Sequence, residues 1–469
     1  MVKRAINAGV DVDLAGKSLE KFVNAVIQNV ENGEIPEKRI DDAVERILRI
    51  KFRLGLFEDP FIGDIRKSKE VGHSDEHRTL ALRVARESLI LLKNEGELLP
   101  LNKDLDKILV TGPNADEAVH TLGSYTGNYE MKPTVLEAIK NKVHSKTEVE
   151  YLKGTPIITS EFPYHRQVRS EDISSGEERT TIEKNIERAA NSAAESDVAI
   201  AAVGGKSLPS GKSFGKERAT SSEFAGSRSG LWLTGCQEQL VKALYETGTP
   251  TVVILLSGRP LTITDLNERI PSIMAAWFPG EKGGKAIADA LFGDYNPGGC
   301  SPITWPKSTG QVPLNFPRKT SANPDKLESK NYLKGSLYAF GHGLSYTDFE
   351  YRNLEVTPKK AGKKEKVEIS VEVENIGDRK GDKVIQVYLA DQVASLEPWE
   401  KKLTGFKRIS LDPGEEKRIE FRIPPRDLSF VNRDLKRVVE AGKFEVMIGN
   451  SAEDLVLKES FQVESDYSL

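Results

Sequence analysis

The stretch from Thr251 to Trp305 constrains the fold more than any other. It opens with the apolar run 252–256 and turns at Ser257-Gly258-Arg259-Pro260. A second run, 273–278, leads into Pro279-Gly280-Glu281-Lys282-Gly283-Gly284, an apolar-periodic segment over 285–292, and the turn cluster 293–299. Short β-branched runs ended by Gly or Pro, alternating with helical patterns, predict β–α units of a parallel sheet buried on both faces. Open sheets of this kind bind ligands in the loops beyond the carboxyl ends of their strands. Arg259 and Glu281 sit in two such loops. Connecting loops lie at the surface by default, so solvated charge is the simpler reading of both.

The same pattern continues upstream. A strand over 107–110 ends at Thr111-Gly112-Pro113-Asn114, and a helix over 181–196 precedes a strand over 198–203 that ends at Gly204-Gly205. Residues 206–230 then form a loop rich in Ser, Gly and Lys that carries Glu217, Glu223 and Arg228. A loop of that length inside a compact domain is functional or disordered. A helix is expected over 231–245, and an extended connector over 306–345. From 349 onward the period changes to two. Val367, Ile369, Val371 and Val373 alternate with polar residues, and 384–389, 417–423 and 443–448 repeat the alternation between turns such as Asp412-Pro413-Gly414. Strands without helices predict a β-sandwich.

The opening is helical, with three- and four-residue apolar spacing over 19–30 and 40–54. Asn32-Gly33 ends the first helix, and Pro36 lies near the start of the second. Two helices alone cannot bury their apolar faces, so a preceding segment or a partner is expected to cover them. Residues 61–80 are polar and read as a linker, and a helix from Ser74 leads into a strand that runs out by Leu101. A chain of 469 residues holds two to four domains.

Composition removes several function classes. The net charge of −4 offers no electrostatic case for nucleic acid or an anionic membrane. No apolar run reaches a membrane span. Met1-Val2-Lys3-Arg4 is followed by Asn7, Asp11 and Asp13, which interrupt any signal-peptide core, so a cytoplasmic location is the default expectation. Cys236 and Cys300 are the only cysteines and the six His are scattered, so neither a disulfide framework nor a metal site is expected. The glycines at 123–127 lack a following Gly-Lys-Ser/Thr, and no G-x-G-x-x-G occurs, so no nucleotide cofactor is expected.

The motif Ala276-Trp277-Phe278-Pro279-Gly280-Glu281-Lys282-Gly283-Gly284-Lys285-Ala286-Ile287-Ala288-Asp289, with Phe292-Gly293-Asp294-Tyr295-Asn296-Pro297-Gly298-Gly299, resembles the second domain of the family 3 glycoside hydrolases, the β-glucosidase and β-xylosidase type. Cys300-Ser301 departs from the Arg-Leu or Lys-Leu usual there. Further matches are Arg86–Leu101, Leu337–Thr347 (with Phe340-Gly341-His342-Gly343-Leu344-Ser345-Tyr346), and Leu231-Trp232-Leu233-Thr234-Gly235-Cys236-Gln237. Ala8-Gly9-Val10-Asp11-Val12-Asp13-Leu14 and Arg39–Leu48 resemble the close of the family's (β/α)₈-type barrel, and the chain beyond 350 resembles its fibronectin type III-like domain.

The resemblance implies four segments: 1–60 as a remnant of the barrel domain, 61–80 as linker, 81–345 as an α/β sandwich, and 350–469 as an all-β fibronectin III-like sandwich. It implies retaining hydrolysis of a β-linked oligosaccharide or glycoside, without metal or cofactor. The nucleophilic aspartate is expected upstream of Ala8, so none is expected on this chain, and a separate barrel subunit is one way to supply it. The acid/base is expected in loop 206–230: Glu217, in Lys216-Glu217-Arg218, is the candidate and Glu223 the alternative, with Arg228 on the substrate. Taken singly, each Glu also reads as a solvated loop charge. Asp11 and Asp13 are paired carboxylates, but the family pattern makes them the end of a barrel strand and structural. The alternative function is a non-catalytic remnant that binds carbohydrate or protein.

Overall fold

The structure is a computed structural model that describes residues 1–14, 18–61, 63–122, 133–157, 179–205, 230–322 and 333–469. It divides into two compact units, Met1–His77 and Arg78–Leu469. None of the described helices is long and apolar enough to cross a membrane.

The first unit carries helices α1 (Val2–Asn7), α2 (Leu19–Glu31), α3 (Glu37–Arg53) and α4 (Ile65–Val71), and the start of α5 (Asp75–Ser88). The Ser18 hydroxyl accepts from the Lys21 amide and caps α2, and Pro36 occupies the cap position of α3. The stretch 61–80, polar enough to read as linker, holds α4 and the first turn of α5. No residue of α2 or α3 is buried. Val23, Ile27, Val44, Ile47 and Phe52 are exposed, so each helix carries an apolar stripe without a covering layer. Between them lies an apolar cavity of about 400 Å³ lined by Ile6, Phe22, Val26 and Ile40 among others.

The second unit is built on a six-stranded sheet of β1 (Ile90–Asn94), β2 (Lys107–Thr111), β3 (Glu148–Leu152), β4 (Val198–Gly204), β5 (Thr251–Leu256) and β6 (Ser272–Ala275). Their order is β1-β6-β5-β4-β2-β3, with only β1 antiparallel to its neighbour. Every position of β4, β5 and β6 is buried. Alternate residues go to opposite faces. Ile108, Val110, Ile200, Val252 and Ile254 pack with α5, α6 (Val135–Lys140) and α10 (Gly283–Leu291). Leu109, Ala199, Ala201, Val253 and Leu255 pack with α7 (Arg179–Ala194), α8 (Gln237–Glu246) and α9 (Thr264–Arg269). The helix expected over 231–245 begins only at Gln237. Gly235 is left-handed at φ +60, the Leu231 amide donates to Thr309 Oγ1 and the Leu231 carbonyl accepts from Thr262, so 231–236 is engaged in loop contacts.

The all-β part comprises β7 (Phe349–Thr357), β8 (Lys360–Ala361), β9 (Val367–Asn375), β10 (Gly381–Asp391), β11 (Lys402–Leu411), β12 (Glu416–Ile423), β13 (Phe430–Val431), β14 (Arg437–Val439), β15 (Gly442–Gly449), β16 (Leu455–Val463) and β17 (Tyr467–Ser468). They form sheets β11-β10-β15-β16-β8, β12-β9-β7 and β13-β14-β17. The inward rows Val367, Ile369, Val371, Val373 and Ile385, Val387, Leu389 make one core. The single helix within this part, α11 (Pro425–Leu428), is one turn.

Segment 337–347 joins the two parts. The Leu344 amide donates to Leu91 O, His342 Nε2 donates to Leu92 O at 2.8 Å, and Gln386 Nε2 donates to Gly341 O at 2.9 Å. Gly341 is left-handed, and a Cβ on it would lie 2.0 Å from Gln386 Oε1, so glycine is required at this seam.

A buried carboxylate locks the helices on one face of the parallel sheet. Asp289 in α10 is fully buried; Arg86 of α5 donates to it at 3.0 and 2.5 Å, and Lys142 and Lys285 donate as well. Lys142 also bridges to Asp294 at 2.6 Å. Burial works to raise the Asp289 carboxyl, but the hydrogen bonds from Lys142 and Arg86 outweigh it and hold the group below its usual value.

Two outcomes follow from these arrangements. Asp289→Ala strands Arg86 and Lys142 and should cost about 3–5 kcal/mol at neutral pH, read by urea unfolding. Because the folded carboxyl is depressed, its contribution is present above the unfolded value and lost as pH falls through the folded one. The parent should therefore lose stability from about pH 5 downward more steeply than Asp289→Asn, and parallel pH profiles would refute this. Amides of α2 and α3 should also exchange faster than those of β4, β5 and β6, since their apolar stripes are uncovered. Equal protection in hydrogen exchange would contradict that reading.

Candidate functional site

Among the five parallel strands the spatial order is β3-β2-β4-β5-β6, so successive connections run in opposite directions from β2. The reversal falls between β2 and β4, and such a switch point opens a crevice at the carboxyl ends of the strands. The loops after β2 and β4 flank it.

Glycines let those strand ends approach. A Cβ on Gly112, at φ +98, would lie 2.2 Å from Ala202 O, and one on Gly204, at φ +143, would lie 2.0 Å from Leu256 O. Asn114, buried, then ties the two loops together by donating from Nδ2 to Gly205 O at 2.7 Å. Its Oδ1 is buried without a hydrogen-bond partner among the described residues. Gln237, also fully buried, clamps the end of β4: Oε1 accepts from the Gly204 amide at 2.8 Å and Nε2 donates to Gly204 O at 3.0 Å and Thr234 O at 3.0 Å. Gln237, matched in sequence, thus anchors the end of β4 from which the chain continues. On the far side, the Gly280 amide donates to Thr121 O, which joins the loop after β6 to the loop after β2.

The sequence-derived site residues Glu217, Glu223 and Arg228 lie outside the described residues. Gly205 and Gly230, which bracket them, are both buried. Arg259 is half-buried; its amide donates to the Ser257 hydroxyl at 3.3 Å, and its carbonyl accepts from that hydroxyl at 3.1 Å. Glu281 is half-buried and ion-paired to Lys282 at 2.8 Å. Asp11 pairs with Arg39 at 2.7 Å, which also donates to Ile6 O and Val10 O, so this carboxylate ties the end of α1 to α3. Asp13 is exposed.

Sequence reading did not single out three features. Asp116, in the loop after β2, accepts from the Thr134 hydroxyl at 3.0 Å. Burial pushes the Tyr151 hydroxyl at the end of β3 up to about 12, and the charges of Asp116 and Glu117 act the same way. Trp277, just past β6, has φ 54, an outlier for a bulky residue, and packs against Trp305 with centroids 5.9 Å apart. Strained backbone of this kind collects at ligand sites. Among the described residues no group of three or more His, Cys, Asp or Glu could hold a metal ion.

Comparison with known proteins agrees with this architecture. Residues 89–346 match the glycosyl hydrolase family 3 C-terminal domain, 383–452 the fibronectin type III-like domain, and 1–50 the glycosyl hydrolase family 3 N-terminal domain. The chain is 36% identical over 463 residues to a periplasmic beta-glucosidase of Salmonella typhimurium, covering 96% of this chain and 58% of that protein. It is 36% identical over 464 residues to a beta-xylosidase of Formosa agariphila, covering 96% and 60% respectively. Among solved structures, a β-glucosidase from Erythrobacter marinus superposes with TM-score 0.84 at 33% identity, over 98% of this chain and 60% of that one. A beta-glucosidase from Listeria innocua in complex with glucose gives TM-score 0.82 at 30% identity, over 100% and 60%. The chain spans less than two thirds of the length of these relatives. An α/β sandwich that matches the family's C-terminal domain over 89–346, followed by a fibronectin type III-like sandwich, places this chain in glycoside hydrolase family 3.

Proposed function

We propose that this chain supplies the second and third domains of a retaining glycoside hydrolase acting on β-linked glucosides or xylosides. One observation carries the reading: the loop bearing Glu217, Glu223 and Arg228 leaves β4 at the strand-order reversal, with its base held by Asn114 and Gln237. The relatives named β-glucosidase and β-xylosidase support the substrate class. Within it, residues 1–60 belong to the barrel, 61–80 link, 81–345 form the α/β sandwich and 350–469 the β-sandwich.

Retaining hydrolysis uses two carboxylates about 5–5.5 Å apart. One attacks the anomeric carbon. The other protonates the leaving oxygen, then removes a proton from the water that releases the sugar. In this reading Glu217 is the acid/base, Glu223 the alternative, and Arg228 donates to substrate hydroxyls. The nucleophile is an aspartate of the family's barrel, supplied by the same polypeptide or by a separate subunit, and no residue of this sequence is assigned to it.

The test joins this chain to a family 3 barrel that carries its aspartate, with aryl β-glucosides and β-xylosides of graded leaving-group pKa. Glu217→Ala should lower turnover by about 10²–10⁴-fold, least for the most acidic leaving groups, which need little protonation. Glu223→Ala should leave that pattern intact. The opposite result transfers the role to Glu223. Loss in neither variant favours the non-catalytic reading, in which the chain binds carbohydrate or protein. This sequence on its own should show no appreciable turnover. A lone general acid falls far short of the roughly 10⁶–10¹⁷-fold typical of enzymes. Turnover without a barrel would put the nucleophile here and make Asp11 and Asp13 the first residues to test.

A further inference from the structure

A cavity with convergent charge lies in the β-sandwich. It has a volume of about 500 Å³ and sits at one end of the inter-sheet core. Its origin is visible in the strand register. Ile385, Val387 and Leu389 point into the core from β10, and the next residue in that row is Asp391. Its cross-strand partner on β15 is the buried Phe444, and Leu389 pairs with Lys402 on β11. Two opposite charges therefore occupy positions where the row calls for apolar side chains.

The two charges act on each other through space, and Asp427 also acts on Lys402, without a hydrogen bond between them. Among the described residues, Lys402 makes no ion pair or hydrogen bond, and Asp391 only accepts from the Val393 amide at 3.3 Å. Burial pushes the Asp391 carboxyl up to about 6 and the Lys402 ammonium down. Arg426, exposed, and Asp427, half-buried, both of α11, also line the cavity, as do Lys319, Arg437 and Glu397. Charges of both signs thus face one space large enough for a ligand, since ligand pockets run from about 300 to 1,000 Å³.

The rim is held in place. The Ser395 amide and hydroxyl both donate to Glu440, at 2.7 and 2.5 Å, and Thr320 donates to Glu397 at 2.9 Å. Arg318 pairs with Glu400 at 2.8 Å. Between these ties stands Trp399, 42% exposed, with Lys319 Nζ 4.3 Å from its ring centroid on one side. A rim ordered before binding loses little entropy when a ligand arrives.

We propose that this pocket binds a neutral mono- or disaccharide. The chemistry follows from the mixed charge. An anion would be drawn to the lysines and arginines and repelled by Asp391, Glu397 and Asp427, while a cation would meet the reverse. An apolar ligand would satisfy none of these groups. A pyranose carries vicinal hydroxyls that each donate and accept, so one ring can give protons to the carboxylates and take them from the cations. Its apolar C–H face matches the indole of Trp399. The site lies in the fibronectin type III-like part and stands whatever residue in loop 206–230 performs catalysis.

The experiment is calorimetric titration of the full chain with glucose, xylose and cellobiose, in a Glu217→Ala, Glu223→Ala, Arg228→Ala background that removes the proposed acid/base candidates and the substrate-binding arginine of the loop. Saturable binding is expected. Trp399→Ala and Asp391→Asn should each weaken it at least about tenfold, or 1.4 kcal/mol. Thermal melting checks that each variant is folded, and Asp391→Asn, which keeps size and removes charge, decides the matter if Trp399→Ala unfolds. No saturable binding of any of the three sugars overturns the proposal. So does binding that Asp391→Asn leaves unchanged, or a pocket that saturates with glycine betaine and not with sugar.

Discussion

The parallel strands are buried on both faces, and the rest of the second unit depends on that constraint. No side chain of β4, β5 or β6 reaches water, so each strand must be apolar twice over and each face needs its own helical layer. Chemistry is left to the strand ends. There the chain must turn sharply beside its neighbours, which is why Gly112 and Gly204 leave no room for a Cβ, and why Asn114 and Gln237 spend buried amides on holding the exits of β2 and β4.

Two buried carboxylates show how partners decide a charge's role. Asp289 is surrounded by Arg86, Lys142 and Lys285, and its charge becomes a fastener between α10, α5 and the turn after α6. Asp391 is half-buried at the end of a core-facing row with no cation hydrogen-bonded to it, and Lys402 acts on it only through space. The first arrangement is complete within the protein. The second is completed by something polar that both donates and accepts. Desolvation is the same in kind at both sites, and only the number of hydrogen bonds differs.

In the first unit, amphipathic helices form with ordinary caps and ion pairs while their apolar stripes stay exposed. Asp11, an attractive carboxylate on paper, is used by Arg39 to fasten the end of α1. Local rules are satisfied there before any larger core is formed, as expected where helix formation needs only near neighbours and burial needs distant ones.

Much of this was legible in the residues themselves. Period-two alternation at 367–373 and the apolar runs at 252–256 and 273–275 named the strands, and the residues around Trp277 and Tyr295 named the family, because periodicity and motif are properties of adjacent residues. The 231–245 helix was drawn too long because the left-handed turn at Gly235 and the bonds of Leu231 to Thr309 and Thr262 depend on other loops. Contacts across great separations were not legible at all. Arg86 and Asp289 are 203 residues apart, and nothing local to either predicts the other. The alternation over 384–389 gave no sign of Asp391 and Lys402, which only the register between β10 and its neighbours β11 and β15 brings to one end of the core. Sequence determined which segments become helix or strand and which face of each is apolar, since those follow from the order of side chains along one element. Tertiary structure decided the switch point, the clamp at Gly204 and the pocket beside Trp399, since each is made by groups that only packing brings within hydrogen-bonding range.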